Sequence, residues 1–111
     1  MQAGLFTILV AGLAGAAGAG APRAQEAGDP QAGLAFAQRT CAECHAVNRK
    51  DLGSPRVDAP SFQRIANTPG MTVTALYVTM QTPHRTMPNL RLEPKEMRDV
   101  VAYLVSLQDK P

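Results

Sequence analysis

Five consecutive residues, Cys41-Ala42-Glu43-Cys44-His45, contain both cysteines of the 111-residue chain and a histidine directly after the second. Residues three apart in a helical turn share a face. One turn therefore aims both thiols the same way, and the next residue carries an imidazole beside them. Two such thiols can form thioethers with the vinyl groups along one edge of a porphyrin, and the imidazole can then bind the iron as proximal ligand. Cys41 and Cys44 are the candidate thioether residues and His45 the candidate iron ligand. The expected cofactor is one haem c with its iron, attached covalently.

Other uses of the same residues fit less well. A thioredoxin-like redox pair needs Cys-x-x-Cys beside a βαβ pattern, whereas the flanks here have helical character and no segment alternates like a strand. A structural zinc site needs four tetrahedral ligands. The available set is Cys41, Cys44, His45 and the distant His84, and adjacent Cys44 and His45 are hard to aim at one small ion. A plain disulfide leaves the histidine unexplained.

The amino-terminal residues read as an export signal rather than as part of a fold. Leu5 to Leu13 is an apolar run, an Ala/Gly stretch follows through Ala21, and the first basic residue is Arg23. This is the layout of a secretory apolar region followed by a small-residue cleavage zone. No Lys or Arg precedes the apolar run, a departure from the usual pattern that admits an upstream start codon. We expect residues 1–24 to be a secretory signal peptide, cut between Ala19 and Ala27, with residues 25–111 forming one domain in the periplasm or another exported compartment. The rival is an uncleaved membrane anchor, since Gln2 to Ala21 has the roughly 20-residue length of a bilayer span, although so much Gly and Ala makes a weak one.

A cut after Ala24 leaves 87 residues, and a chain that short buries only about 60% of its unfolded surface. A haem supplies the flat apolar centre that such a chain lacks. The 5% aromatic content and the absence of Trp suit a core whose main ring system is the cofactor. The charge of this domain is small, with 10 basic against 9 acidic residues once Arg23 is removed. That excludes a strongly basic nucleic-acid binder. Arg39, Arg49, Lys50 and Arg56 flank the cysteine motif and His84, Arg85 and Arg91 flank a later loop. The distribution is either an ordinary solvated surface or a positive collar that steers acidic redox partners.

Period and punctuation predict an all-α fold with three main helices. The first starts at Asp29-Pro30, an N-cap with proline at the first helical position, and runs through Leu34 and Phe36 toward the cysteines. The second covers Thr72 to Gln81, with Val73, Leu76, Tyr77 and Met80 at steps of three and four. The third starts at Glu93-Pro94 with Glu96 at the capping-box position, and Met97, Val100, Val101, Leu104 and Leu107 form one stripe. Ala46 to Pro60 reads as a loop, Asn67 to Gly70 as a turn, and Thr82 to Leu92 as a second long loop.

A second axial ligand has several candidates. Met80 and Met97 lie on apolar helix faces, where core packing is the ordinary role, and Met71 follows Gly70 near a helix start. Met87, in Thr86-Met87-Pro88-Asn89, lies in the middle of the loop between the last two helices. A proline-stiffened loop lowers the entropy of holding a weak ligand, which favours Met87. His84 is the main rival, and with His45 it would make a bis-imidazole site.

These residues together resemble the small class I monohaem c-type cytochromes of bacteria, over Gly28 to Gln108. In that family an N-terminal helix with a Gly and an aromatic crosses a C-terminal helix at an aromatic, and Gly33, Phe36 and Tyr103 are similar to those positions. A proline carbonyl after the motif accepts the proximal imidazole N–H in the family. Pro60, in Ala59-Pro60-Ser61-Phe62, is similar, although its neighbours depart from the usual Gly-Pro pair. Met87-Pro88-Asn89-Leu90, followed by Glu93-Pro94-Lys95-Glu96 and Val100-Val101-Ala102-Tyr103-Leu104, matches the family's tail. The resemblance implies a compact cytochrome c fold around one haem held by Cys41, Cys44, His45, Pro60 and Met87, with His45 and Met87 on the iron.

A His/Met-ligated iron has no open site for a substrate, so the expected function is one-electron transfer between Fe(II) and Fe(III). The protein would be a carrier rather than an enzyme, working as a free shuttle or as the haem subunit of a dehydrogenase. Its expected partners are redox proteins that meet the exposed haem edge, with no nucleic acid, and with a membrane only if the leader stays uncleaved. The alternatives are a haem peroxidase or gas-binding protein with a displaceable distal ligand, and a secreted interaction module without a cofactor.

Overall fold

Three of the four helices begin where a short polar side chain satisfies an orphan backbone N–H, and the last begins at a capping box. In the computed structural model, which describes Gly18 and residues 27–110, four helices occur: α1 (Pro30–Thr40), α2 (Phe62–Ala66), α3 (Val73–Gln81) and α4 (Pro94–Ser106). The Asp29 carboxylate accepts from the Gln31 N–H at 2.9 Å, Ser61 Oγ from Arg64 N–H at 3.1 Å, and Thr72 Oγ from Ala75 N–H at 3.1 Å. At α4 the Glu96 carboxylate reaches back to the Glu93 N–H at 2.9 Å, with Pro94 at the first helical position. Helices α1 and α4 therefore start where their caps predict, while α3 starts one residue later than expected, with Thr72 as its N-cap rather than its first residue.

Helix α2 was not anticipated. Five residues are too few to display a 3.6-residue period, and its one local signal was Ser61 ahead of Phe62. Among the described residues there is no strand, and no helix is long and apolar enough to cross a membrane. The expected signal peptide at 1–24 lies outside the described residues apart from Gly18, as does all of the expected cleavage zone except Ala27.

The core is organised on the crossing of α1 and α4, the most extensive helix contact. Two glycines permit it. A Cβ on Gly33 would sit 2.0 Å from the Asp99 carbonyl oxygen and 2.9 Å from Tyr103 Cβ, and one on Gly28 would sit 2.0 Å from the Arg98 carbonyl oxygen. The expected apolar stripe of α4 is buried throughout, from Met97 through Val100, Val101 and Leu104 to Leu107. Ala37 of α1, Phe62 of α2 and Leu76 of α3 close on it. Phe36 is half-buried against this core. Val73 departs from expectation: at the first position of α3 it is 51% exposed, and Leu76, Tyr77 and Met80 form the inward set.

Polar bonds bind the irregular segments to this frame. The buried Tyr103 hydroxyl donates to the Val47 carbonyl at 2.5 Å, tying α4 to the loop after the cysteine motif. Gln63 Nε2 donates to the Leu107 carbonyl at 2.7 Å, Gln108 to the Met71 carbonyl at 2.7 Å, and the Arg49 guanidinium to the Ser106 carbonyl. Carbonyls at the end of α4, which have no partner within the helix, are satisfied in this way, and Arg49 adds a cation at the negative end of the helix dipole.

Candidate haem site

The cysteine motif continues the last turn of α1. The Cys41 N–H donates to the Ala37 carbonyl at 2.8 Å, the Cys44 N–H to the Cys41 carbonyl at 3.1 Å, and the His45 N–H to the same carbonyl at 2.9 Å. That turn brings the two thiols and the imidazole to one cavity of about 500 Å³, within the size range of cofactor sites. Pro60, Phe62 and Ile65 border it around α2, Leu76 and Met80 border it from α3, and Leu104 borders it from α4. The loop between α3 and α4 contributes His84, Met87 and Leu90. All five expected site residues, Cys41, Cys44, His45, Pro60 and Met87, border this one cavity.

The His45 ring is fixed from two sides. Its Nδ1 lies 2.6 Å from the Pro60 carbonyl oxygen. A carbonyl only accepts, so Nδ1 carries a proton, and in the neutral ring the lone pair is then on Nε2. This is the tautomer a metal-binding imidazole needs, oriented by the bond that fixes such rings. Phe62 meets the ring edge to face, with centroids 5.7 Å apart and planes at 61°. Phe62 is the residue of this site that sequence reasoning missed; its position after Pro60-Ser61 was visible, but its packing on a ring seventeen positions back was not. The Phe62 N–H also donates to the Ala46 carbonyl at 2.9 Å, so the segment that orients the imidazole is itself tied beside it.

Both thiols are free, with Cys41 buried and Cys44 half-buried. Burial, with a smaller effect from neighbouring Cys44, pushes the Cys41 thiol up to about 11. A disulfide oxidoreductase works through a thiolate of lowered pKa, so this environment argues against a thioredoxin-like role. No group of three or more His, Cys, Asp or Glu side chains among the described residues is arranged to hold a metal ion, which leaves the zinc alternative without its ligand set. A mostly apolar cavity with two convergent thiols and one oriented imidazole fits a covalently held porphyrin and its iron.

The candidates for a second ligand separate in part. Met97 is buried in the core and does not border the cavity, whereas Met71, Met80, Met87 and His84 all do. The His84 Nε2–H donates to the Thr79 carbonyl at 3.0 Å, which engages that nitrogen elsewhere. Met71 and Met80 also pack against the core. Met87 is half-exposed, in a loop with prolines at 83 and 88.

The charges around the site are less uniform than the sequence suggests. Arg56 is paired with Asp58 at 2.9 Å, and Arg49 is turned to the end of α4. Arg39, Lys50, Arg85 and Arg91 are exposed and take part in no ion pair among the described residues.

The family described as cytochrome c oxidase, cbb3-type, subunit III, matches residues 28–104. Cytochrome c-552 of Bradyrhizobium diazoefficiens is 36% identical over 83 residues, covering 74% of this chain and 78% of that protein. No solved structure matches the chain. The match spans both the cysteine motif and the Met87 loop. The chain belongs to the c-type cytochromes, as a small single-haem member that carries haem c covalently and transfers electrons.

Proposed function

We propose that this cytochrome is a periplasmic one-electron carrier, without catalytic activity of its own, in which His45 and Met87 are the axial ligands of the iron. The observation that carries the reading is the convergence on one cavity of Cys41, Cys44, an Nδ1-protonated His45 and Met87. Haem c supplies a one-electron Fe(II)/Fe(III) couple. The chain's own residues do the rest. Cys41 and Cys44 would hold the ring, and the Pro60 carbonyl orients His45 through its Nδ1–H. The soft, uncharged thioether of Met87 favours the ferrous ion and so raises the potential relative to a second imidazole. Leu76, Leu104 and Phe62 exclude water, which disfavours the more highly charged ferric form.

With His45 and Met87 both on the iron no position would remain for a substrate, which supports a carrier rather than an enzyme. The oxidase named in the matching family's description supports a redox protein as partner. Exposed Arg39, Lys50, Arg85 and Arg91, which take part in no ion pair among the described residues, support one with an acidic docking face. The apolar run at Leu5 to Leu13 supports export, with residues 1–24 removed.

The test is the visible and near-infrared spectrum of the ferric and ferrous holoprotein beside its Met87→Ala variant. We expect a weak thioether-to-iron charge-transfer band in the ferric parent that vanishes in the variant, with a lowered potential. A parent that lacks the band and binds carbon monoxide readily would point instead to a ligand-binding haem.

A further inference from the structure

The loop between α3 and α4 has few ties to the rest of the molecule. Pro83 and Pro88 have no N–H, and the Leu90 N–H donates to the Pro88 carbonyl at 2.8 Å, inside the loop itself. For residues 83–92, the single hydrogen bond among the described residues that crosses to another element is the one from the His84 ring to Thr79 of α3, at 3.0 Å. This 83–92 stretch carries Met87.

The bond has a local cause. The Thr79 carbonyl lies in the last turn of α3, where carbonyls have no partner within the helix. An α-helical donor to it would be the N–H of residue 83, and residue 83 is proline. The Thr82 N–H donates to the same carbonyl in a longer bond of 3.3 Å, which caps the helix and leaves the carbonyl's second lone pair free. The His84 Nε2–H adds a second, shorter bond to that carbonyl and so stands in for the donor that Pro83 lacks. Thr79, His84, Thr86 and Met87 all border the haem cavity, so the bond lies at its rim.

We propose that His84 is a positioning residue: its bond to the Thr79 carbonyl fastens the loop to α3 and sets how readily Met87 leaves the iron. The proposal rests on the reading of Met87 as axial ligand. A small ligand such as imidazole reaches the ferric iron only when Met87 has moved away. Its binding rate at saturating imidazole therefore measures the opening of the loop.

The experiment uses the ferric holoprotein and imidazole as the probe. His84→Ala is expected to raise the limiting rate roughly two- to tenfold, the range for the loss of one hydrogen bond, while the charge-transfer band of the resting protein is retained. His84→Gln, which keeps a side-chain N–H at similar reach, is expected to bind imidazole at nearly the parent rate. Pro83→Ala restores a backbone N–H for the same carbonyl, so adding His84→Ala in that background should accelerate binding less than in the parent. An unchanged rate in His84→Ala, or equal acceleration in His84→Ala and His84→Gln, overturns the proposal. The resting spectra separate its failure from that of the ligand assignment. A band that survives Met87→Ala removes Met87 as ligand and the proposal with it, and one that instead disappears in His84→Ala contradicts a purely positioning role.

Discussion

Asp99 is buried where α4 meets the start of α1, and its charge is answered from both helices. Its carboxylate accepts from Lys95 Nζ at 2.6 Å and from the Asp29 N–H at 2.8 Å. These bonds, Lys95 first, hold its pKa below the usual value of 3.8. A depressed folded value means the stabilisation is complete above the ordinary carboxylate range and is lost as pH falls through the folded value. The parent should therefore lose thermal stability below about pH 4. Asp99→Asn should melt lower than the parent at neutral pH, and the difference should narrow in acid; melting curves at pH 7 and pH 3 check this. The Lys95 pairing is an i,i+4 pattern within α4, but nothing local announces the bond from the Asp29 N–H, which comes from seventy positions away. The cap at Asp29 was legible because its acceptor and donor lie two residues apart.

Among the elements, the α1–α4 crossing is the most demanding of sequence. A methyl group on Gly33 would overlap the Asp99 carbonyl, whose oxygen and carbon would lie 2.0 and 2.5 Å away. Both are backbone atoms and cannot turn aside. Gly33→Ala is expected to cost at least about 3 kcal/mol and to reduce the yield of haem-loaded protein. Gly53→Ala is the control, since a Cβ there meets only Asp51 Oδ1 at 3.8 Å. Thermal melts of the two variants should differ sharply. Resemblance pointed to Gly33 and Tyr103 as a crossing, but Gly28 came to light only from its 2.0 Å approach to the Arg98 carbonyl. Helix α2 escaped for a different reason, being too short to have a period; it is defined by what it packs on.

On the scale of the whole molecule, a haem in the cavity would complete the core. A cavity of about 500 Å³ bordered by Leu76, Phe62 and Leu104 lies against the α4 stripe in a chain with a marginal core of its own. Filling it joins α1, α2, α3 and the loop before α4 through one apolar centre. Cys41→Ser with Cys44→Ser removes both thioethers and makes the haem a dissociable ligand. The double variant is expected to release haem on denaturation and to lose a cooperative melt when haem is withheld. The parent should keep its haem attached after unfolding. Absorbance of the denatured, gel-filtered protein and thermal melts by circular dichroism check both outcomes.

Features that depend on near neighbours are legible in the order of residues: the aim of Cys41, Cys44 and His45 from one helical turn, the caps at Asp29 and Glu96, and the α4 stripe. Those features carry the all-α class and the haem. Tertiary structure alone decided what depends on helices meeting. It brought Met71, Met80, Met87 and His84 to one cavity while leaving Met97 in the core, set Phe62 against His45, and answered Asp99 from Asp29. Local patterns encode period and capping because both act over a few residues. They do not encode which carbonyl a side chain finds across a helix crossing, since that is fixed only when the backbones have packed.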